Sequence, residues 1–155
     1  MLHVVLVEPE IPQNTGNILR TCAATDSKLH LVRPLGFSLE DRYLKRAGLD
    51  YWEIAQIQVW NNLEDVKEAF FDARYFYATT KAKKAYSQVA YSPKDMLVFG
   101  SETRGLPNEL IEKNHDYCIR IPMSKQIQAR SLNLSNAAAV VMYEALRQLG
   151  FPKLH

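Results

Sequence analysis

The sequence predicts a single α/β domain over residues 1–155, a mostly parallel sheet flanked by helices, and three observations carry that expectation. Short, near-continuous apolar runs, among them residues 3–7, Leu29–Val32 and Met96–Phe99, suit strands buried on both faces, as parallel strands are. Segments of helical period separate them. The alternation runs through the chain with no repeat, low-complexity stretch or linker, and 155 residues suffice for one substantial core.

In chain order, the first strand at His3–Val7 gives way to a loop, Glu8–Asn17. A helix starts near Asn14 or Thr15, whose side chains suit capping, carries Ile18, Leu19, Cys22 and Ala23 inward, and ends near Ser27. Leu29–Val32 is the second strand, stopped by Pro34. Glu40–Ala47 reads as a short helix closed at Gly48. Ile54–Trp60 is strand-like, and Asn62 caps a helix through Phe71. Arg74–Thr79 is rich in β formers, and a basic loop, Thr80–Lys84, follows it. Met96–Phe99 ends at Gly100, Pro107 opens a helix through Lys113, and Tyr117–Ile121 is the last strand. After a break at Pro122 and a polar loop, a helix restarts over Arg130–Asn136. Leu134, Ala137, Ala138, Val141, Ala145, Leu146 and Leu149 then recur at helical spacing on one buried face.

Composition narrows the class. A hydrophobic content of 47% and a charged content of 23% are ordinary for a globular protein. No apolar run approaches the ~20 residues of a membrane span, and the N-terminus meets Glu8-Pro9 too soon for a signal peptide. Two cysteines, Cys22 and Cys118, with no Cys-x-x-Cys pairing, fit a reducing cytoplasm. Net charge is only +2, so any affinity for nucleic acid must rest on local clusters.

In parallel sheets ligands bind outside the carboxyl ends of the strands. The loops expected there, Glu8–Asn17, Thr79–Lys84, Gly100–Pro107 and Pro122–Asn136, are rich in polar side chains, glycine or proline. Several familiar chemistries are missing from them. The first strand is not followed by Gly-x-Gly-x-x-Gly, and Gly100–Gly105 lacks the Lys-Ser/Thr of a triphosphate cradle. The same segment is not Gly-x-Ser-x-Gly. His3, His30, His115 and His155 show no metal-ligand spacing. What remains is a set of amides, arginines and a carboxylate: Asn14, Gly16, Asn17 and Arg20; Glu102, Arg104 and Gly105; Arg130, Ser131, Asn133, Ser135 and Asn136. Taken singly, Asn14 reads as a helix cap, Glu102 and Arg104 as a solvated ion pair, and Asn136 as a turn amide. Taken together they outline one site.

Asn14-Thr-Gly-Asn-Ile-Leu-Arg20, Val98-Phe-Gly-Ser-Glu-Thr-Arg-Gly-Leu-Pro107, and Arg120-Ile-Pro-Met123 with Arg130-Ser-Leu-Asn-Leu-Ser-Asn136 resemble the three motifs of the SPOUT RNA methyltransferases, in order and over essentially the whole chain. Glu8-Pro-Glu-Ile-Pro12 and Arg46-Ala-Gly-Leu-Asp-Tyr51 are similar to the minimal bacterial subgroup that 2'-O-methylates the wobble cytidine or uridine of tRNA, typically of leucine isoacceptors. The resemblance implies S-adenosyl-L-methionine as cofactor, with no metal, a C-terminal trefoil knot and a homodimer. It places Ala78, Gly100, Ile121, Met123, Ser131, Leu132 and Asn136 at the cofactor. Arg20 matches the catalytic arginine, with Asn14, Glu102 and Asn136 orienting neighbouring groups. Lys81, Arg104, Arg130 and Tyr143 match positions near tRNA or across the dimer. A free arginine stays protonated, so Arg20 either stabilises negative charge developing on the ribose oxygen or acts as a base with help from a substrate phosphate. Alternatives are methylation of another tRNA or rRNA site, a non-catalytic RNA-binding protein on the same fold, and a small-molecule α/β enzyme.

Overall fold

Val4 and Leu6 leave the first strand on one side and Val5 and Val7 on the other, and all four are buried. That double burial is why the strand reads as one apolar run. The computed structural model describes residues 1–48, 57–126 and 131–155. Its strands are β1 (His3–Val7), β2 (Lys28–Val32), β3 (Ile57–Trp60), β4 (Tyr75–Ala78), β5 (Lys84–Ala85), β6 (Met96–Phe99) and β7 (Cys118–Arg120). They form one seven-stranded sheet in the order β3-β2-β1-β6-β4-β7-β5, and every pairing is parallel.

Among the described residues five α-helices cover the two faces: α1 (Pro12–Ala24), α2 (Arg42–Gly48), α3 (Leu63–Ala69), α4 (Asn108–Lys113) and α5 (Leu134–Gln148). Ile18, Leu19 and Cys22 of α1 and Val141, Met142 and Leu146 of α5 pack with Leu6, Leu31, Leu97 and Ile119 in one core layer. Leu63 and Val66 of α3 and Leu110 and Ile111 of α4 pack with Val5, Val98 and Tyr77 in the other. Each fully buried leucine contributes ~1.5–3 kcal/mol. Helices α1 and α2 touch backbone to backbone at Gly16, where a Cβ would stand 2.5 Å from Ala47 Cβ.

Most boundaries agree with the sequence reading. Asn62 accepts from the Asp65 N–H at 2.8 Å and caps α3 as expected. Helix α1 differs: it begins at Pro12 with Ile11 as N-cap and no side-chain cap, and ends at Ala24. Proline suits the first helical position, so the start moves ahead of Asn14 and leaves that side chain for other partners. The basic loop is shorter than expected, because Lys84–Ala85 pairs with β7; two residues carry no periodic signal. Helix α5 starts at Leu134 rather than Arg130, with Asn133 as its N-cap. The motif residues Leu49–Tyr51, positions 54–56 of the expected third strand, and Arg130 lie outside the described residues. Among the described residues no helix is long and apolar enough to cross a membrane.

Strand order positions the site. From β1 the chain steps to β2 and β3 at one edge, while β6 and β4 lie on the other side of β1. The loop after β1 leads to α1 on one face and the loop after β6 leads to α4 on the other. A crevice at such a switch point is where open α/β sheets bind ligands.

Candidate active site

A cavity of about 520 Å³ opens beyond the carboxyl ends of β4, β6 and β7. Ala78, Gly100, Ile121, Met123, Ser131 and Leu132 all line it, as do Asn14, Glu102, Lys81 and Arg104. Its deeper wall is apolar, from Phe99, Ile119, Leu134 and Val141. Arg20, Asn136 and Tyr143 do not line it, and Arg130 is outside the described residues. Arg20 lies with Gln13 and Asn17 on the exposed stripe of α1; Asn136 and Tyr143 lie with Val140 on that of α5.

The Glu102 carboxylate is the junction of the site. It accepts from the backbone N–H groups of Glu10 at 2.7 Å and Ile11 at 2.9 Å, and from the Asn14 side-chain amide at 3.3 Å. A negative group at the chain's entry to α1 also complements the positive end of that helix. Glu102 therefore fixes the two residues that lead into α1, from about 90 positions further along the chain. Asn14, 6% exposed, turns its Oδ1 to the Asn133 side-chain amide at 3.0 Å. Asn133 Oδ1 in turn accepts from the Ser135 N–H at 2.9 Å and the Asn136 N–H at 3.3 Å, capping α5. One hydrogen-bonded line thus joins Glu102, Asn14, Asn133 and the start of α5. Asn136 enters it only through its backbone, whereas Asn133 supplies the side chain. The Asn133-Leu-Ser135 pattern, a capping residue just ahead of an apolar period, was the available sequence signal for this.

A second carboxylate crosses the first. Glu10 accepts from the Thr103 hydroxyl at 2.7 Å and the Thr103 N–H at 3.3 Å. Hydrogen bonds from Thr103 and then Ser101 hold the Glu10 carboxyl below its ordinary range. Glu10 and Thr103 both stand inside the motifs, but neither stands out by residue type, and the sequence reading gave neither a role. Arg104 pairs with Glu8 at 3.4 Å rather than with Glu102, and this exposed contact adds little stability. Gly100 and Gly105 let the loop after β6 double back: a Cβ on Gly100 would stand 2.1 Å from the Gly105 carbonyl carbon, and Gly105 has φ +66°. At the rim, Lys81 Nζ donates to Asn108 Oδ1, and Arg120 adds a further cation. The site offers a half-apolar slot, a rigid amide line and a cationic rim, which suits a small organic cofactor beside a polyanion.

Residues 1–143 match the SpoU rRNA Methylase family. A relative from Methylovorus glucosotrophus, named tRNA (cytidine(34)-2'-O)-methyltransferase, is 53% identical over 152 residues, covering 97% of this chain and 97% of its own. A solved structure described as "Structural insights into the 2-OH methylation of C/U34 on tRNA" is 44% identical with a TM-score of 0.91, covering 97% of each chain. The AdoMet-bound rRNA methyltransferase of Sinorhizobium meliloti is 27% identical with a TM-score of 0.83, over 96% of this chain and 56% of that one. With the family's match spanning the sheet, the cavity and most of α5, the chain belongs to the SpoU rRNA Methylase family.

Proposed function

We propose that residues 1–155 act as one domain that transfers a methyl group from S-adenosyl-L-methionine to the ribose 2'-hydroxyl of the wobble cytidine or uridine of tRNA, in the cytoplasm. The observation that carries this reading is the convergence of the loops after β1, β6 and β7 on one cavity, where Glu102, Asn14 and Asn133 are already joined. The relative named for cytidine 34 supports the substrate.

The cavity fits the cofactor. Its volume lies within the ~300–1,000 Å³ of small-molecule sites, and its apolar wall suits a planar base. Ala78, Gly100 and Ile121 would hold the cofactor by their backbone, with Met123, Ser131 and Leu132 closing over it. When bound, the cofactor supplies an electrophilic methyl group on a sulfonium, whose thioether leaves neutral. The chain must therefore hold the ribose oxygen in line with that methyl, and orientation of this kind is worth up to ~7–11 kcal/mol. Asn14 and Glu102 keep α1 and its Arg20 in register with the cavity, with Asn136 anchoring the α5 end of the same line. The Arg20 guanidinium stabilises negative charge building on the ribose oxygen as the hydroxyl proton passes to solvent.

Lys81, Arg104 and Arg130 attract the tRNA backbone, and Tyr143 contributes from across a homodimer. Exposure of Val140 (38%) and Tyr143 (47%) on one stripe of α5 favours a second copy there. A C-terminal trefoil knot follows the same reading, and the insertion of β7 between β4 and β5 is in keeping with it. Arg20→Ala tests the assignment: methyl transfer to tRNA is lost while S-adenosylhomocysteine binding, read by calorimetry, survives. Loss of that binding would make Arg20 a structural residue.

A further inference from the structure

We propose that Glu10 is a positioning residue for the cavity: its carboxylate fastens the tip of the 101–105 loop, through the Thr103 hydroxyl and N–H, so that the wall facing the ligand is set before any ligand arrives. Three features of the loop make its tip the point to hold. The Gly105 N–H donates to the Ser101 carbonyl at 2.9 Å, closing the loop on itself. Gly100 and Gly105 are in backbone contact, so the base and the return of the loop move together. Ser101 through Gly105 all line the cavity, so any motion of the loop moves the wall.

Glu10 is itself braced from behind. The Gly36 N–H donates to the Pro9 carbonyl at 2.9 Å, and a Cβ on Gly36 would stand 2.7 Å from Glu10 Cα. The chain there is pressed between Gly36 and the 101–105 loop. The two carboxylates then work in opposite directions. Glu102 takes N–H groups from the loop after β1, and Glu10 takes the hydroxyl and N–H of Thr103 from the loop after β6. The contacts separate cleanly on substitution, because Glu10 reaches Glu102 through its backbone and Thr103 through its side chain. Shortening the Glu10 side chain releases Thr103 and the Ser101 side chain and leaves intact the backbone bonds that Glu102 accepts. The Arg104–Glu8 contact, at 3.4 Å against 2.7 Å for the Thr103 hydroxyl, is too long to replace it. A wall held in advance lowers the ordering that ligand binding would otherwise require.

The inference rests on the methyltransferase reading, and the experiment separates the two. Calorimetric affinity for S-adenosylhomocysteine, KM for S-adenosyl-L-methionine, kcat on tRNA and Tm are measured for the full chain and for Glu10→Ala, Thr103→Val, Thr103→Ser and the double variant Glu10→Ala/Thr103→Val. Expected is a weakening of affinity on the order of tenfold for Glu10→Ala and Thr103→Val, carried by KM more than kcat. Thr103→Ser, which keeps the hydroxyl, regains most of the loss. The double variant is no weaker than Glu10→Ala alone, because Glu10→Ala already removes every bond that Thr103 makes to the carboxylate. Should Glu10→Ala lose its fold by Tm, Thr103→Val, which keeps the side-chain volume, decides alone. Wild-type affinity and KM in Thr103→Val, or losses that simply add in the double variant, would overturn the proposal. A wild-type chain that neither binds S-adenosylhomocysteine nor methylates tRNA would instead overturn the reading beneath it.

Discussion

Asn133 donates its side-chain amide to Asn14 Oδ1 at 3.0 Å, joining residues 119 positions apart. Both amides are forced into that orientation. At one end the Glu102 carboxylate only accepts, so Asn14 must face it with its NH₂. At the other end the backbone N–H groups of Ser135 and Asn136 only donate, so Asn133 must face them with its oxygen. Asn133→Ser keeps a capping oxygen for α5 but no longer reaches Asn14, whereas Asn133→Ala loses both. Methyl transfer should fall at least ~tenfold in each, while only the alanine variant loses a further ~1 kcal/mol of stability. Urea unfolding beside single-turnover assays checks the separation.

A pH dependence of stability should arise far from the cavity. The Trp60 indole N–H donates to His30 Nδ1 at 3.0 Å, and His3 Nδ1 lies 2.9 Å from His30 Nε2. An indole N–H only donates, so His30 carries its proton on Nε2 and passes it toward His3, leaving both rings neutral. Burial first, then Lys28 and the N-terminus, lowers His3 to about 4; burial, then His3 and Lys28, lowers His30 to about 3. Between pH 6.5 and 4 the unfolded chain takes up protons that the folded chain refuses. Stability is therefore full above pH 6.5 and falls as the pH drops through that window. Urea midpoints measured from pH 7 to pH 4 should show this fall, and it should shrink in His3→Gln.

Lys81 and Arg104 should act on tRNA through charge alone. Each alanine substitution should weaken binding similarly for all tRNAs and lower the slope of log affinity against log salt by roughly 1. Binding titrations at three salt concentrations read this directly. An unchanged slope would remove that residue from the RNA surface.

Much of this site was legible in the residues. Gly100, Ala78, Ile121, Met123, Ser131 and Leu132, which the resemblance to the SPOUT motifs implied, line one cavity, and apolar runs broken by glycine and proline marked the strand ends around it. Strand order was not legible: nothing in the spacing of β4 and β5 says that β7 lies between them. Nor were the partners of Glu102. As an isolated residue beside Arg104 it reads as half of an ion pair, but folding sets it against Glu10 and Ile11, about 90 positions away. The start of α1 was misjudged for the same reason. The residues that lead into it are fixed by Glu102 from another loop and Pro12 opens the helix, so Asn14 was free for the line to Asn133.

The most direct measurement is to incubate the chain with methyl-labelled S-adenosyl-L-methionine and total bacterial tRNA, then digest the RNA and map the labelled nucleotide. The expected result is a 2'-O-methyl group on the wobble cytidine or uridine of the anticodon, absent with Arg20→Ala. Label at another position or in rRNA alone, or no transfer by a chain that binds tRNA tightly, would contradict it.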